Sequence, residues 1–266
     1  MPSLIPVEFM QRLLLACLLL SLAGLGPAWS QAEVGPACAI PVDLVTPSAP
    51  LTRVTAALAT KGGLDILALG SGSTVGESGG SGGPALTFRT PEHSFPFRMA
   101  DMLRLMRPKL QFNLTVKGGR NMTADLMLPI LREELAAHHY DLVLWQTGTV
   151  EAVHGLRPDS LRGVLEDGAN AAETANTDLV LIDPQFSRFL RANADLGPYE
   201  TVLDQITNMS SVTLFHRFDL TQGWVSSGRV DLERVSREQR DKTVALLNDC
   251  LGKALARYVL SGTNEP

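Results

Sequence analysis

Cysteine and histidine are scarce in this chain, three and five in 266 residues, and aromatics make up only 6%. No two histidines have the spacing of a zinc motif such as His-Glu-x-x-His, so neither a metal centre nor a cofactor is expected. Basic residues are not in surplus either: 23 Lys and Arg against 28 Asp and Glu leave a net charge of -5, which gives no footprint for nucleic acid. There is no internal repeat and no sign of a second catalytic domain. What remains is an ordinary globular composition, 45% hydrophobic and 19% charged, enough for one sizeable core.

The first 30 residues read as a signal peptide. Leu13 to Leu25 is almost wholly apolar, Arg12 precedes it, and Gly26 to Ala32 supplies small residues at cleavage spacing. The apolar run is shorter than the ~20 residues of a membrane span, so no span is expected after cleavage. Export to the periplasm or outside the cell follows. Cys17 leaves with the leader, and Cys38 and Cys250 remain at opposite ends of the chain. In an oxidising compartment they are expected to pair, a long-range closure worth on the order of 4 kcal/mol, with two buried thiols as the alternative.

Residues 31–62 read as an arm followed by a short helix over 51–61, and residues 63–262 as one domain. Strands are predicted at 64–70, 110–116, 140–146, 178–182 and 212–215. Helices are predicted from 95 to Pro108, at 123–138 with Pro129 forcing a kink or a late start, at 158–174, at 198–209 and at 237–260. The strands are continuous apolar runs and alternate with helices, which predicts a parallel sheet with right-handed crossovers and helices on both faces. Glu77 to Pro91, with four glycines and two prolines, reads as an excursion over the end of the first strand. The Asn-x-Ser/Thr triplets at Asn113, Asn121 and Asn208 read as turn and strand chemistry. His93, His138, His139 and His154 fall on loops or helix ends, where a solvated imidazole is the default.

The chain is organised around Asp65 to Gly76, Asp-Ile-Leu-Ala-Leu-Gly-Ser-Gly-Ser-Thr-Val-Gly, a buried strand running into a tight turn at the edge of the sheet where open α/β folds bind ligands. Ile66 to Gly76 resembles the first block of the SGNH/GDSL hydrolases, especially exported bacterial members whose turn reads Gly-Ser-Ser-Ser-Thr-x-Gly. Asp141 to Ala152, Asp-Leu-Val-Leu-Trp-Gln-Thr-Gly-Thr-Val-Glu-Ala, is similar to their third block. Softer likeness at Ser94-Phe-Pro, Leu214-Phe-His-Arg-Phe, Trp224-Val and Cys250 extends it over about residues 36 to 260. The resemblance implies a flavodoxin-like three-layer α/β/α sandwich of about five parallel strands. It also implies ester hydrolysis by a serine nucleophile, a histidine base oriented by an aspartate three residues earlier, and an oxyanion hole of serine amide, glycine amide and asparagine side chain.

Placed on this chain, those roles are mostly empty. The nucleophile position is Gly72 and the asparagine position Val150, while the Asp-x-x-His pair falls on Gln239 and Lys242. Gly118 could still donate an amide, after a slip of one residue from Lys117. Loss of one oxyanion donor alone costs about 10²–10³ in rate, and loss of triad members leaves only residual catalysis. The expectation is therefore an esterase-like protein that binds or assembles without turning over, with acylated envelope polysaccharide or envelope-assembly proteins as partners. The alternative is an active carbohydrate O-acyl esterase using Ser73 with His216, Asp219 and Gly118. Against it, Ser71 and Ser73 read as residues that cap or stabilise the turn.

Overall fold

The computed structural model describes residues 38–77, 91–207 and 212–263. The expected leader with Cys17, the Gly-rich excursion apart from its first and last residues, and Asn208 lie outside them. Five strands form one sheet: β1 (Gly63–Gly70), β2 (Gln111–Gly118), β3 (Leu142–Gln146), β4 (Asp178–Ile182) and β5 (Val212–Phe215), in the order β2-β1-β3-β4-β5. Every pairing is parallel. Successive strand residues point to opposite faces, and both faces are covered, which is why these strands read as apolar runs instead of alternating. The fold is the three-layer α/β sandwich expected from the pattern.

On one face Ile66, Ala68, Leu142, Leu144 and Val180 pack under α1 (Thr52–Lys61), α3 (Phe95–Met106) and α10 (Arg240–Ser261). On the other, Leu67, Leu69, Val143, Trp145 and Leu181 pack under α4 (Ala124–Ala137), α6 (Pro158–Thr174) and α8 (Gly197–Ile206). Cys38 and Cys250 form a disulfide with Cα atoms 5.4 Å apart, tying the segment before α1 to α10. Trp224 Nε1 adds a hydrogen bond of 2.6 Å to the carbonyl of Ala39. Among the described residues no helix is long and apolar enough to cross a membrane.

Several boundaries differ from the sequence reading. Helix α4 starts at Ala124 and runs through Pro129, its sixth residue, so its start is not delayed; the proline has no amide to give the Asp125 carbonyl one turn earlier. Helix α8 ends at Ile206, and the last helix begins as a 3-10 turn at Arg237–Gln239 before α10 takes over. Four further helices have no counterpart in the pattern: α2 (Gly72–Val75), α5 (Thr149–His154), α7 (Arg188–Asn193) and α9 (Arg217–Ser226). The first three are too short to show a period. The fourth buries Arg217 and Thr221 beside Leu220 and Trp224, so no apolar stripe marks it.

At the amino edge of the sheet, carboxylates close the backbone. Asp178 Oδ2 accepts the amides of Arg53 at 2.9 Å and Val54 at 3.0 Å, the second and third residues of α1. Asp141 Oδ2 accepts the amide of Asp65 at 2.8 Å and lies 2.7 Å from Lys61 Nζ.

Candidate functional site

The carboxyl edge is where this topology opens. From β1 the chain crosses one way to β2 and returns to β3 on the other side, so the connections leaving β1 and β3 diverge at the switch point, the place where open α/β sheets put their ligands. Five segments meet there: Ser71 to Glu77 after β1, Gly119 and Arg120 after β2, Thr147 to Val150 after β3, Asp183 and Pro184 after β4, and His216 with Arg217 after β5.

The first turn is compact. α2 begins at Gly72, Gly76 closes it at φ 77, and the amide of Glu77 returns to the carbonyl of Gly72 at 2.8 Å. The returning backbone fills the space a nucleophile would need, because a Cβ on Gly72 would lie 2.9 Å from the carbonyl oxygen of Glu77. The Glu77 carboxylate reaches the amide of Arg120 at 3.2 Å, just beyond the end of β2. Gly118, at φ 118, is required for a different reason: a Cβ there would sit 1.9 Å from the carbonyl oxygen of Gly70. That carbonyl also accepts the amide of Gly119 at 3.2 Å.

Gln146, the last residue of β3, is the hub of the turn. Its Oε1 lies within hydrogen-bond distance of the Ser71 amide at 3.3 Å and of the hydroxyls of Ser71 at 3.1 Å, Ser73 at 3.3 Å and Thr74 at 2.9 Å. Four donors converge on one amide oxygen, and the turn is thereby fastened to the neighbouring strand. Ser71 and Ser73 stabilise the turn as expected, but through Gln146; neither makes a helix cap of the usual kind, in which the side chain accepts a nearby amide.

Arg217 supplies the charge. It is 2% exposed, its Nε donates to the carbonyl of Asp183 at 3.1 Å, its Nη1 donates to Ser73 Oγ at 3.3 Å, and its guanidinium stands 5.7 Å from the centre of the Phe95 ring. Burial lowers its pKa to about 10, partly offset by the charge of Asp183, so it remains a cation at neutral pH. Asp183 is itself buried and accepts the amide of Phe218 at 2.8 Å, in the first turn of α9. Desolvation pushes its carboxyl well above the ordinary range, against the pull of that amide and of Arg217. Glu151 closes the third block, accepting Gly148 N at 2.8 Å, Thr147 Oγ1 at 3.0 Å and Ala124 N at 2.5 Å.

The residues singled out from sequence are only partly brought together. Ser73 and Gly118 lie at the carboxyl edge, and His216 follows β5 at the same edge, with Asp219 exposed in the first turn of α9. Ser73 Oγ meets Gln146 and Arg217; it makes no hydrogen bond to His216, and His216 makes none to Asp219, among the described residues. Val150 is partly exposed at the start of α5, while Gln239 and Lys242 are exposed where α10 begins. Of the other histidines, His93, His138, His139 and His154 are all exposed, and His139 Nε2 lies 3.5 Å from Asp141 at the opposite edge. No group of three His, Cys, Asp or Glu residues among the described ones could hold a metal ion. Gln146, Asp183 and Arg217 are not marked by the local pattern; the available signal was an arginine two residues beyond a buried strand, at the edge of the sheet where ligands bind.

Residues 37–265 match the sequence model of the non-GDSL lipase-like family. No curated protein matches the chain. Among solved structures, Axe2, an acetylxylan esterase from Geobacillus stearothermophilus, aligns at 15% identity with a TM-score of 0.56, over 74% of this chain and 94% of its own. LAE5, an alpha/beta hydrolase enzyme from the metagenome of Lake Arreo, Spain, aligns at 13% identity with a TM-score of 0.54, over 72% and 96%. At these identities the likeness is one of fold.

Proposed function

This chain belongs to the non-GDSL lipase-like family, and from that premise we propose that it is an exported, non-hydrolytic member of the SGNH/GDSL-like fold whose carboxyl edge binds carbohydrate. The observation that carries the reading is the environment of Ser73. Its hydroxyl accepts from Arg217 at 3.3 Å and donates toward the Gln146 amide oxygen at 3.3 Å. A serine becomes a nucleophile when an adjacent base takes its proton. An amide oxygen is no such base, and a guanidinium that is still charged at neutral pH cannot be one. Read without a gap against the first block of the SGNH/GDSL hydrolases, the nucleophile position is Gly72, and a Cβ there would lie 2.9 Å from the carbonyl oxygen of Glu77.

Carbohydrate as the ligand class, and acylated envelope polysaccharide in particular, rests on analogy of fold with the acetylxylan esterase. Export rests on the leader-like first 30 residues and agrees with the Cys38–Cys250 disulfide, a bond that persists in oxidising compartments. A fluorophosphonate probe tests the central point. The expected outcome is no covalent labelling of the folded protein; labelling that disappears in Ser73→Ala would make it a working hydrolase.

A further inference from the structure

One opening of the carboxyl edge lies away from the turn after β1. Between α7, the start of α8 and α9 there is a cavity of about 700 Å³, lined among others by Arg191, Asp195, Glu200, Phe218 and Gln222. That volume is within the range of about 300–1,000 Å³ occupied by small-ligand sites. Helix α7 follows β4 and α9 follows β5, so the cavity belongs to the end of the sheet where this topology binds ligands. One wall is firmly placed. Phe218, half-buried on α9, donates its amide to Asp183 at 2.8 Å, and its ring meets Phe186 edge-on with centres 5.5 Å apart. Gln222 stands one turn further on the same face of α9.

The polar side chains around this cavity are unspent. Arg188, one turn before Arg191, pairs with Asp231 at 2.9 Å and Glu233 at 3.4 Å. Arg191 instead has only the Phe186 ring, 5.9 Å from its guanidinium. Among the described residues, the side chains of Arg191, Glu200 and Gln222 make no hydrogen bond and no ion pair, and Glu200 Oε1 is shut off without a partner. A guanidinium and an amide nitrogen therefore offer protons, a carboxylate and an amide oxygen accept them, and an aromatic ring stands beside them. Hydroxyl groups, donors and acceptors at once, answer that mixture. Two carboxylates, Glu200 and Asp195, line the cavity against one cation, which disfavours an anionic ligand.

We infer that the cavity between α7, α8 and α9 binds an uncharged oligosaccharide, with Arg191, Glu200 and Gln222 meeting its hydroxyls and Phe218 the apolar face of a sugar ring. The inference rests on the carbohydrate-binding reading and gives the ligand a place, beyond β4 and β5 and not over the turn after β1.

Calorimetric titration and amide NMR of the whole exported protein test it with two probes, xylotetraose and tri-galacturonate. Saturable binding of xylotetraose is expected, with amide shifts within residues 191–200 and 218–222, and tri-galacturonate should bind at least severalfold more weakly. Glu200→Ala and Arg191→Ala should each weaken xylotetraose about tenfold, the scale of a lost hydrogen bond to a charged group, and Gln222→Ala about threefold. All three side chains are exposed or half-exposed, so the variants should fold. Absence of saturable binding, tighter binding of tri-galacturonate, or unchanged affinity in the three variants would overturn the site. Shifts confined to Ser71 to Thr74 would overturn it too, while leaving carbohydrate binding in place. Fluorophosphonate labelling that is lost in Ser73→Ala would instead end the non-hydrolytic reading and leave the cavity to its own titration, since Ser73 is not part of its lining.

Discussion

At the amino edge of the sheet Asp141 and Asp178 accept backbone amides and each also has a cation, Lys61 at 2.7 Å from Asp141 and Arg53 at 3.9 Å from Asp178. At the carboxyl edge Glu151 and Asp183 also accept backbone amides, yet neither forms an ion pair with a described residue, and the cation nearby, Arg217, is held by a hydroxyl and a carbonyl. The same chemistry of carboxylates closing helix starts serves both ends. One end neutralises its charges internally. The other leaves a cation and carboxylates separately satisfied, at the very place where an open α/β sheet meets its ligands. Full pairing marks a structural edge, and incomplete pairing marks the edge kept for something else.

The comparison breaks most violently at Gly118. Gly118→Ala would force a Cβ to within 1.9 Å of the Gly70 carbonyl at φ 118, separating β1 from β2 at the carboxyl edge. A loss of about 4 kcal/mol, or failure to fold, is expected in chemical denaturation. At the structural edge, Asp178→Ala removes the acceptor of two helix-start amides and should cost about 2 kcal/mol, with Asp178→Asn recovering part of it because an acceptor oxygen remains. The smallest effect sharpens the contrast through pH. Asp183 has its folded pKa raised above the ordinary 3.8, chiefly by burial, so its contribution to stability is greatest below 3.8 and is lost as pH rises through the folded value. Asp65, lowered chiefly by its hydrogen bond from Lys61, has the opposite sign: its contribution is present above 3.8 and is lost as pH falls through the folded value. Denaturation from acid to neutral pH should therefore show the stability advantage of the parent protein over Asp183→Asn shrinking with rising pH, and that over Asp65→Asn growing.

Much of the scaffold was legible because burial on both faces leaves its mark as uninterrupted apolar runs such as Ile66 to Leu69, and because Gly and Pro punctuate the crossovers. The pairing of Cys38 with Cys250 was legible from there being two cysteines after the leader-like first 30 residues, which make an oxidising compartment the expectation. The short helices α2, α5 and α7 were not legible, since four to six residues show no period. The site was half legible. The turn after β1 announces itself through its glycines and serines, but the Phe-His-Arg-Phe segment presents His216, a residue type with the chemistry of a base, and gives no sign that Arg217 is the buried one. Nothing in the local pattern says which of two adjacent polar residues turns inward; that depends on Ser73 and Phe95, far away in the chain. The convergence on Gln146 was hidden for the same reason, since it arises from a strand pairing and not from sequence spacing.

The disulfide has a topological consequence. Its two cysteines are 212 residues apart and enclose all five strands, so the described fold forms a single covalent ring with short tails. One peptide cut anywhere within that ring opens a loop without releasing a fragment. A nick that would divide an unbridged α/β protein into diffusible halves leaves this one a single molecule, and separation needs a second cut or a reductant.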